Sequence, residues 1–373
     1  MQRSIAGLLT AVGLGVLGTG CSTDTRTPTT LIAAADQRQA SDRDDGDDND
    51  NGPTTYAVIG DVPYEPRSPQ SALSLMPTLI GSINQDPDVR RAIHIGDIKS
   101  GTTRCSDDWF NKIAASFATF ADPMIYAIGD NEWTDCHRAN NGGYNPLNRL
   151  ATLRDIFFAN PGLTLGMQQK RVKAQDGYPE NASWMASRVV FSSFHILGSN
   201  NGRAQWFTDR RDTVSLSPLT TVPKPETAAE GASREAEYAA RNAANIAWLE
   251  NTFARADDEH AKGVVLFIQA DLWHPDDRAA GAVFTAHQQW VERLAQLARQ
   301  FGNPVLIVCG DSHEFRVDVG VPWFTLYGLT PVPNITQLTV DRSIEADIDW
   351  LKLRIDPKSP AVFSWEQVFV PVP

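Results

Sequence analysis

Four stretches of the chain repeat apolar side chains every three or four residues: 71–85 (SALSLMPTLIGSINQ), 107–121 (DDWFNKIAASFATFA), 233–256 and 282–302. That spacing lines one face of a helix. Between them lie apolar runs of five to nine residues, rich in Val and Ile: YAVIGD ending at Asp61, AIHIGD at Asp97, MIYAIGD at Asp130, RVVFSSFHILGSN (188–200), GVVLFIQAD at Asp271 and VLIVCGD at Asp311. Flanked by helices, such runs predict strands buried on both faces. The alternation predicts an α/β domain with its ligands at the carboxyl ends of the strands. Beyond Gly320 the pattern changes to short strands (ITQLTV, DWLKLRI, VFSWEQVFV) with no further helix, which predicts a closing C-terminal β-layer of the same domain. Residues 203–232 are rich in Pro and Thr and predict a surface insertion. Neither 137–185 nor 200–232 carries a pattern that identifies a substrate.

The first 53 residues differ in kind. Arg3 precedes the apolar stretch IAGLLTAVGLGVLG, which is too short and too glycine-rich for a membrane span and has the order of an export signal. LGTGC then places small residues before Cys21, so residues 1–21 are similar to a bacterial lipoprotein signal, with ordinary signal cleavage nearby as the alternative. Residues 22–53 lack periodicity and include SDRDDGDDND, six Asp against one Arg, which predicts a disordered acidic linker. A folded domain over 54–373 follows. Export, to a periplasm or outer envelope, predicts a disulfide between the loop residues Cys105 and Cys136, the alternative being two unpaired thiols. Cys309, inside an apolar run, reads as an inert core residue. The net charge of −12 excludes a general nucleic-acid binder, which needs a basic face.

Several strands ending on aspartate would bring carboxylates together, which repel unless cations lie among them. Hard divalent ions take such oxygen ligands, and a histidine adds affinity for Zn, Mn or Fe. A pair of ions about 3.5–4 Å apart activates a bridging hydroxide for attack on a phosphate ester.

The ordered blocks GDVPY (60–64), GDIKSG (96–101), GDNEW (129–133), FIQAD (267–271) and GDSHEF (310–315) resemble those of the calcineurin-like metallophosphoesterases: D-x-H, G-D, G-N-H-[DE], a lone His, and G-H-x-H. The likeness spans about residues 54–355. It implies a central β-sandwich flanked by helices, two divalent ions (Mg, Mn, Ca, Fe or Zn) and a small phosphorylated substrate. By position, Asp61 and His313 would hold one ion, Asp97 would bridge, and Asp130, Gln269 and Asp311 would complete the second. Pro63 stands at a histidine position, Asn131 at the catalytic histidine, Gln269 at the lone His and Asp311 at the first His of the last block. Oxygen thus replaces nitrogen, which favours Mg, Ca or Mn. A one-place slip in the third block would make Asn131 the ligand instead of Asp130. With the catalytic histidine replaced, candidates for a proton donor are His274, Asp271, Tyr64 and His137. Lys99, Arg104 and Arg138 follow the strand ends and could orient phosphate, although surface salt bridging explains each as well. His94 and His195 read as core histidines.

Two other hydrolase readings fail on position. Gly310-Asp311-Ser312 sits at the wrong end of the domain for an SGNH esterase nucleophile, and Asp61 is not followed by the D-x-D-x-T of a phospho-aspartate enzyme. A non-catalytic binder on a degenerate phosphoesterase scaffold is the rival from another class. If Cys21 is lipidated, such a protein would be tethered to a membrane.

Overall fold

A computed structural model of the chain describes residues 52–64, 72–207, 226–273, 285–342 and 348–371. The described residues belong to the unit Asp42–Pro373. The export signal, Cys21 and most of the acidic linker lie outside them, as does His274.

Two sheets form the centre. The first contains β1 (Thr54–Ile59), β2 (Val89–His94) and β3 (Met124–Tyr126) in parallel, extended antiparallel by the last two strands, β11 (Ile348–Ile355) and β12 (Phe363–Val370). The second has the order β4-β5-β6-β7-β8-β10-β9. Its members are β4 (Lys173–Gln175), β5 (Tyr178–Ala186), β6 (Val189–Ser193), β7 (Gly263–Phe267), β8 (Val305–Cys309), β9 (Arg316–Val319) and β10 (Ile335–Thr339). The strands after Gly320 are therefore shared between the two sheets: β10 lies parallel to β8, and β11 closes on β1. A 3₁₀ segment, Pro322–Tyr327, also follows Gly320, where the apolar pattern alone suggests only strands. Proline supplies its first turn, and Trp323, Phe324 and Tyr327 are buried.

Side-chain alternation explains the layering. Tyr56 and Val58 of β1, Val265 and Phe267 of β7, and Leu306 and Val308 of β8 share one core between the sheets. Their neighbours Ala57 and Ile59 face a second core with helices α1 (Ala72–Gln85), α2 (Asp107–Phe117) and α3 (Pro146–Phe157). Val264, Leu266, Val305 and Ile307 face a third, with α4 (Ala228–Asp258) and α5 (Gln288–Phe301). Period-two strands apolar on both faces thus become a β-sandwich with helices outside. The mixed α/β architecture is the one expected from the alternation.

The helices begin where capping residues permit. Ser106 accepts from the Trp109 N–H at the start of α2, and Asn145 from that of Asn148 at α3. Thr227 and Glu230 form a reciprocal capping box that starts α4, so the residues just before 233 belong to a helix rather than a loop. Trp206, in the stretch expected to be a surface insertion, is buried, and its N–H donates to Glu226. Residues 208–225 of that stretch are outside the described residues.

Candidate metal centre

The carboxyl ends of β1, β2 and β3 in one sheet meet those of β7 and β8 in the other. Three of the strand-end aspartates leave their strands with left-handed backbones: Asp61 at φ 52°, Asp97 at φ 61° and Asp311 at φ 71°. Aspartate tolerates this region better than most side chains, and the turn redirects each carboxylate across the strand tips. The preceding glycines make room. A Cβ on Gly129 would collide with the Asp97 carboxylate and backbone, and one on Gly310 would collide with the Asp61 carboxylate. The repeated Gly-Asp is thus a close-approach device: the glycine of one strand clears space for the acid of another.

Two groups of potential ligand atoms result, Asp61–Asp97–His313 and Asp97–Asp130–Asp311, each with all its atoms within 4.8 Å of one another. Asp97 belongs to both. Asp61 and Asp97 are almost wholly inaccessible, Asp130 is buried, and His313 keeps a third of its side chain exposed. Burial pushes the Asp97 carboxyl well above the usual carboxylate range, and Asp130, Glu132, Asp61 and Asp311 push it further. Burial does the same to Asp311, aided by Asp130, Asp61 and Asp271. Among the described residues no lysine or arginine forms an ion pair with Asp61, Asp97, Asp130 or Asp311. A divalent cation relieves such repulsion without protonating the acids, and the donors, carboxylate oxygens with one imidazole, suit it.

Tyr64 stands among the first group. Its hydroxyl is 2.9 Å from Asp61 Oδ1, 2.9 Å from Asp97 Oδ2 and 3.1 Å from His313 Nε2. His313 Nε2 is 3.2 Å from Asp61 Oδ1. Donors bound 2.0–2.1 Å from one octahedral ion stand about 3 Å apart, a spacing these four contacts share with ordinary hydrogen bonds. Tyr64, read from the sequence only as a proton-donor candidate, is also a ligand candidate. Burial raises its phenol well above the ordinary tyrosine value, with Asp61 and Asp97 adding to the rise.

The third block divides its work. Asp130 joins the second group, while the Asn131 amide donates to Asp97 Oδ2 at 2.7 Å and lies 3.2 Å from the Tyr64 hydroxyl. Glu132, to which the sequence reading assigned no role, accepts through Oε1 from the backbone N–H groups of Asp97 (3.1 Å) and Gly129 (2.6 Å) and from the Tyr126 hydroxyl (2.8 Å). It clamps two strand ends together; burial lifts its pKa to about 7 despite those donors. Its place at the [DE] position of the third block was the available signal.

Gln269 is arranged otherwise than a ligand. Its Oε1 accepts from the Gly198 N–H at 2.6 Å, so its amide NH₂ faces Asp130 Oδ1, at 3.2 Å. Its amide protons face the acids, while the oxygen held by Gly198 keeps its second lone pair. Asp271 is likewise engaged elsewhere, by Arg316 (2.7 Å), Gln337 (2.9 Å) and the Trp273 N–H (3.0 Å). His137 is buried and accepts from the Phe207 N–H at Nδ1. Lys99 is fully buried, not a surface ion-pair residue: its ammonium donates to the Asn131 carbonyl at 2.6 Å, and burial lowers its pKa to about 8. Arg138 pairs with Asp135 at 2.6 Å. His94 is a core histidine, held by the Val62 carbonyl at 2.7 Å, with burial lowering its pKa to about 4. His195 is another, paired at 2.8 Å with Glu180. A disulfide joins Cys105 to Cys136, and Cys309 is buried and free.

The chain matches no family model and no curated protein. Among solved structures it is similar to GAP50, described as the anchor in the inner membrane complex of Plasmodium, at 10% identity and a TM-score of 0.41, covering 86% of this chain and 90% of that one. It is also similar to the purple acid phosphatase PPD1 from yellow lupin (Lupinus luteus) seeds, at 12% identity and a TM-score of 0.45, covering 85% of this chain and 54% of the other. Likenesses this distant leave the chemistry to be argued from the residues themselves.

Proposed function

We propose that the protein is an exported, metal-dependent hydrolase of phosphoric esters. The observation that supports it is the pair of ligand groups sharing Asp97, one of two strand-end acids with His313 and one of three strand-end acids, each with two buried members and one half-buried. Asp61, Asp97 and His313, with Tyr64, would hold one ion, and Asp97, Asp130 and Asp311 a second. Bound divalent ions supply a hydroxide nucleophile near neutral pH and neutralise charge on the transferred phosphoryl group. The chain's own residues do the rest. Glu132 fixes the backbone of Asp97, Asn131 and Tyr64 orient its Oδ2, and the partly exposed His313 marks the side from which an ester can approach. The substrate is a small phosphorylated molecule.

Export is supported by the N-terminal signal pattern and by the Cys105–Cys136 disulfide, which persists in oxidising compartments. Lipidation at Cys21 would then tether the protein. Among the described residues no helix is long and apolar enough to cross a membrane.

One observation favours a second reading, a non-catalytic binder: Gln269 turns its NH₂ toward Asp130, so a position read as a ligand presents donors to an acid. Turnover separates the two. The mature protein, loaded in turn with Mg²⁺, Ca²⁺, Mn²⁺, Fe²⁺ or Zn²⁺, is assayed on a chromogenic phosphomonoester and phosphodiester beside Asp97→Asn. Metal-dependent turnover lost in the variant is the expected result. Tight ion binding with no turnover under any metal would favour the binder.

A further inference from the structure

Beside the acids the backbone does something rare. Ser199 (φ 51°, ψ 42°), Asn200 (φ 52°, ψ 50°), Asn201 (φ 55°) and Gly202 (φ 71°) are four successive left-handed residues, one turn of helix of the wrong hand. Left-handed backbone is disfavoured for every residue that carries a Cβ, least so for asparagine. The turn persists because neighbours over-determine it. Its own closing bond runs from the Gly202 N–H to the Gly198 carbonyl, 3.2 Å. The fully buried Arg241 of α4 donates through Nη1 to Asn201 Oδ1 (2.6 Å) and through Nη2 to the Asn201 carbonyl (2.8 Å). Glu237 holds the same guanidinium at Nε, 2.7 Å. On the other side, Asn200 Oδ1 accepts from the Ala286 N–H.

The turn leads straight into the second ligand group. A Cβ on Gly198 would come within 2.9 Å of carboxylate oxygens of both Asp130 and Asp311, so bare backbone walls the group there. The next side chain, Ser199, sets its hydroxyl 2.7 Å from Asp130 Oδ2 and 3.1 Å from Asp135 Oδ1. Gln269 meets the other oxygen of Asp130. Both oxygens of this acid are thus oriented by donors, each keeping a lone pair free.

We propose that Ser199, held in this left-handed turn by Arg241, is a positioning residue that sets the Asp130 carboxylate for ion binding at the Asp97–Asp130–Asp311 group. This rests on the metal reading above and deepens it. The two ion positions are unequal: the Asp61–Asp97–His313 group does not use the turn, whereas the other depends on it. Outer hydrogen bonds to a ligating carboxylate govern affinity by about 10–100-fold.

Ser199→Gly isolates the hydroxyl, because glycine keeps the left-handed backbone at no steric cost while removing the donor. Calorimetric titration of metal-stripped protein with Mn²⁺ is expected to show two binding steps in the wild type. In Ser199→Gly one of the two steps falls about 10–100-fold, while the other step and the melting temperature of the stripped protein do not drop. The visible spectrum of Co²⁺-loaded protein changes only at the equivalent that fills the affected position. Arg241→Lys, which keeps the charge and loses the paired donors, weakens the same step. Ser199→Gly binding that matches wild type within twofold at every step overturns the inference while leaving the metal reading intact. A wild-type protein that binds no Mn²⁺ removes both.

Discussion

Neutralising the shared acid has opposite effects with and without metal. The ligand atoms of Asp97 lie within 4.8 Å of those of Asp61, Asp130 and Asp311. At an effective dielectric of about 20, two unit charges at that distance repel by about 3.5 kcal/mol. Burial and the neighbouring acids push the Asp97 and Asp311 carboxyls toward their neutral forms, which relieves part of this in stripped protein. Asp97→Asn therefore relieves a remainder of about 1–3 kcal/mol. Against that stand its hydrogen bonds: the Asn131 amide and the Tyr64 hydroxyl donate to Asp97 Oδ2 and the Asn131 N–H to Oδ1, and an amide cannot accept at both ends, a net loss of about 1 kcal/mol. The stripped variant should match or exceed wild type by up to about 2 kcal/mol. Unfolding entropy near 2.1 cal/mol/K per residue makes 1 kcal/mol worth roughly 1.5 °C here. Adding ion at a hundred times its dissociation constant stabilises wild type by about 2.7 kcal/mol, roughly 4 °C, and Asp97→Asn not at all. Differential scanning calorimetry on chelator-stripped and Mn²⁺-loaded samples reads both. A variant that keeps the ion-dependent rise, or that loses more than about 2 kcal/mol when stripped, refutes the reasoning.

Two further outcomes are expected. The Cys105–Cys136 bond closes a loop with a sequence separation of 31, so replacing both cysteines by serine should cost about 3–4 kcal/mol, read as a lowered urea midpoint; an unchanged midpoint would mean that the reduced chain already confines the loop. His287 is buried against the Leu197 carbonyl, and burial lowers its pKa from 6.5 to about 4. The unfolded chain takes up a proton below pH 6.5 that the folded one refuses until about pH 4. Stability from this group is thus complete above pH 6.5 and lost as pH falls through that window, by about 3 kcal/mol. His287→Gln should flatten the fall between pH 6.5 and 4, and an identical slope would contradict this.

Much of the architecture is legible in the chain. The apolar runs ending on Gly-Asp dictate strands and their termini, because period-two apolar residues need burial on both faces and glycine with aspartate permits a left-handed exit. The resemblance carried by the ordered blocks also brings Asp61, Asp97, Asp130, Asp311 and His313 under suspicion together. What the tertiary structure decided is which atoms face which. Gln269 reads from its position as a ligand, yet the Gly198 N–H fixes its oxygen and turns its amide protons toward Asp130. Asp271 has the same strand-end signature as the others, yet Arg316 claims it. Tyr64 and Glu132 gain their roles from partners 33 and 35 residues away, at Asp97. Ser199 carries no local signal at all, since its turn is held by Arg241, which bonds Asn201 from a helix position 40 residues beyond it. Local sequence sets the period of burial and the backbone a residue can tolerate; the direction of a lone pair depends on donors brought in from distant parts of the chain, and only folding brings them.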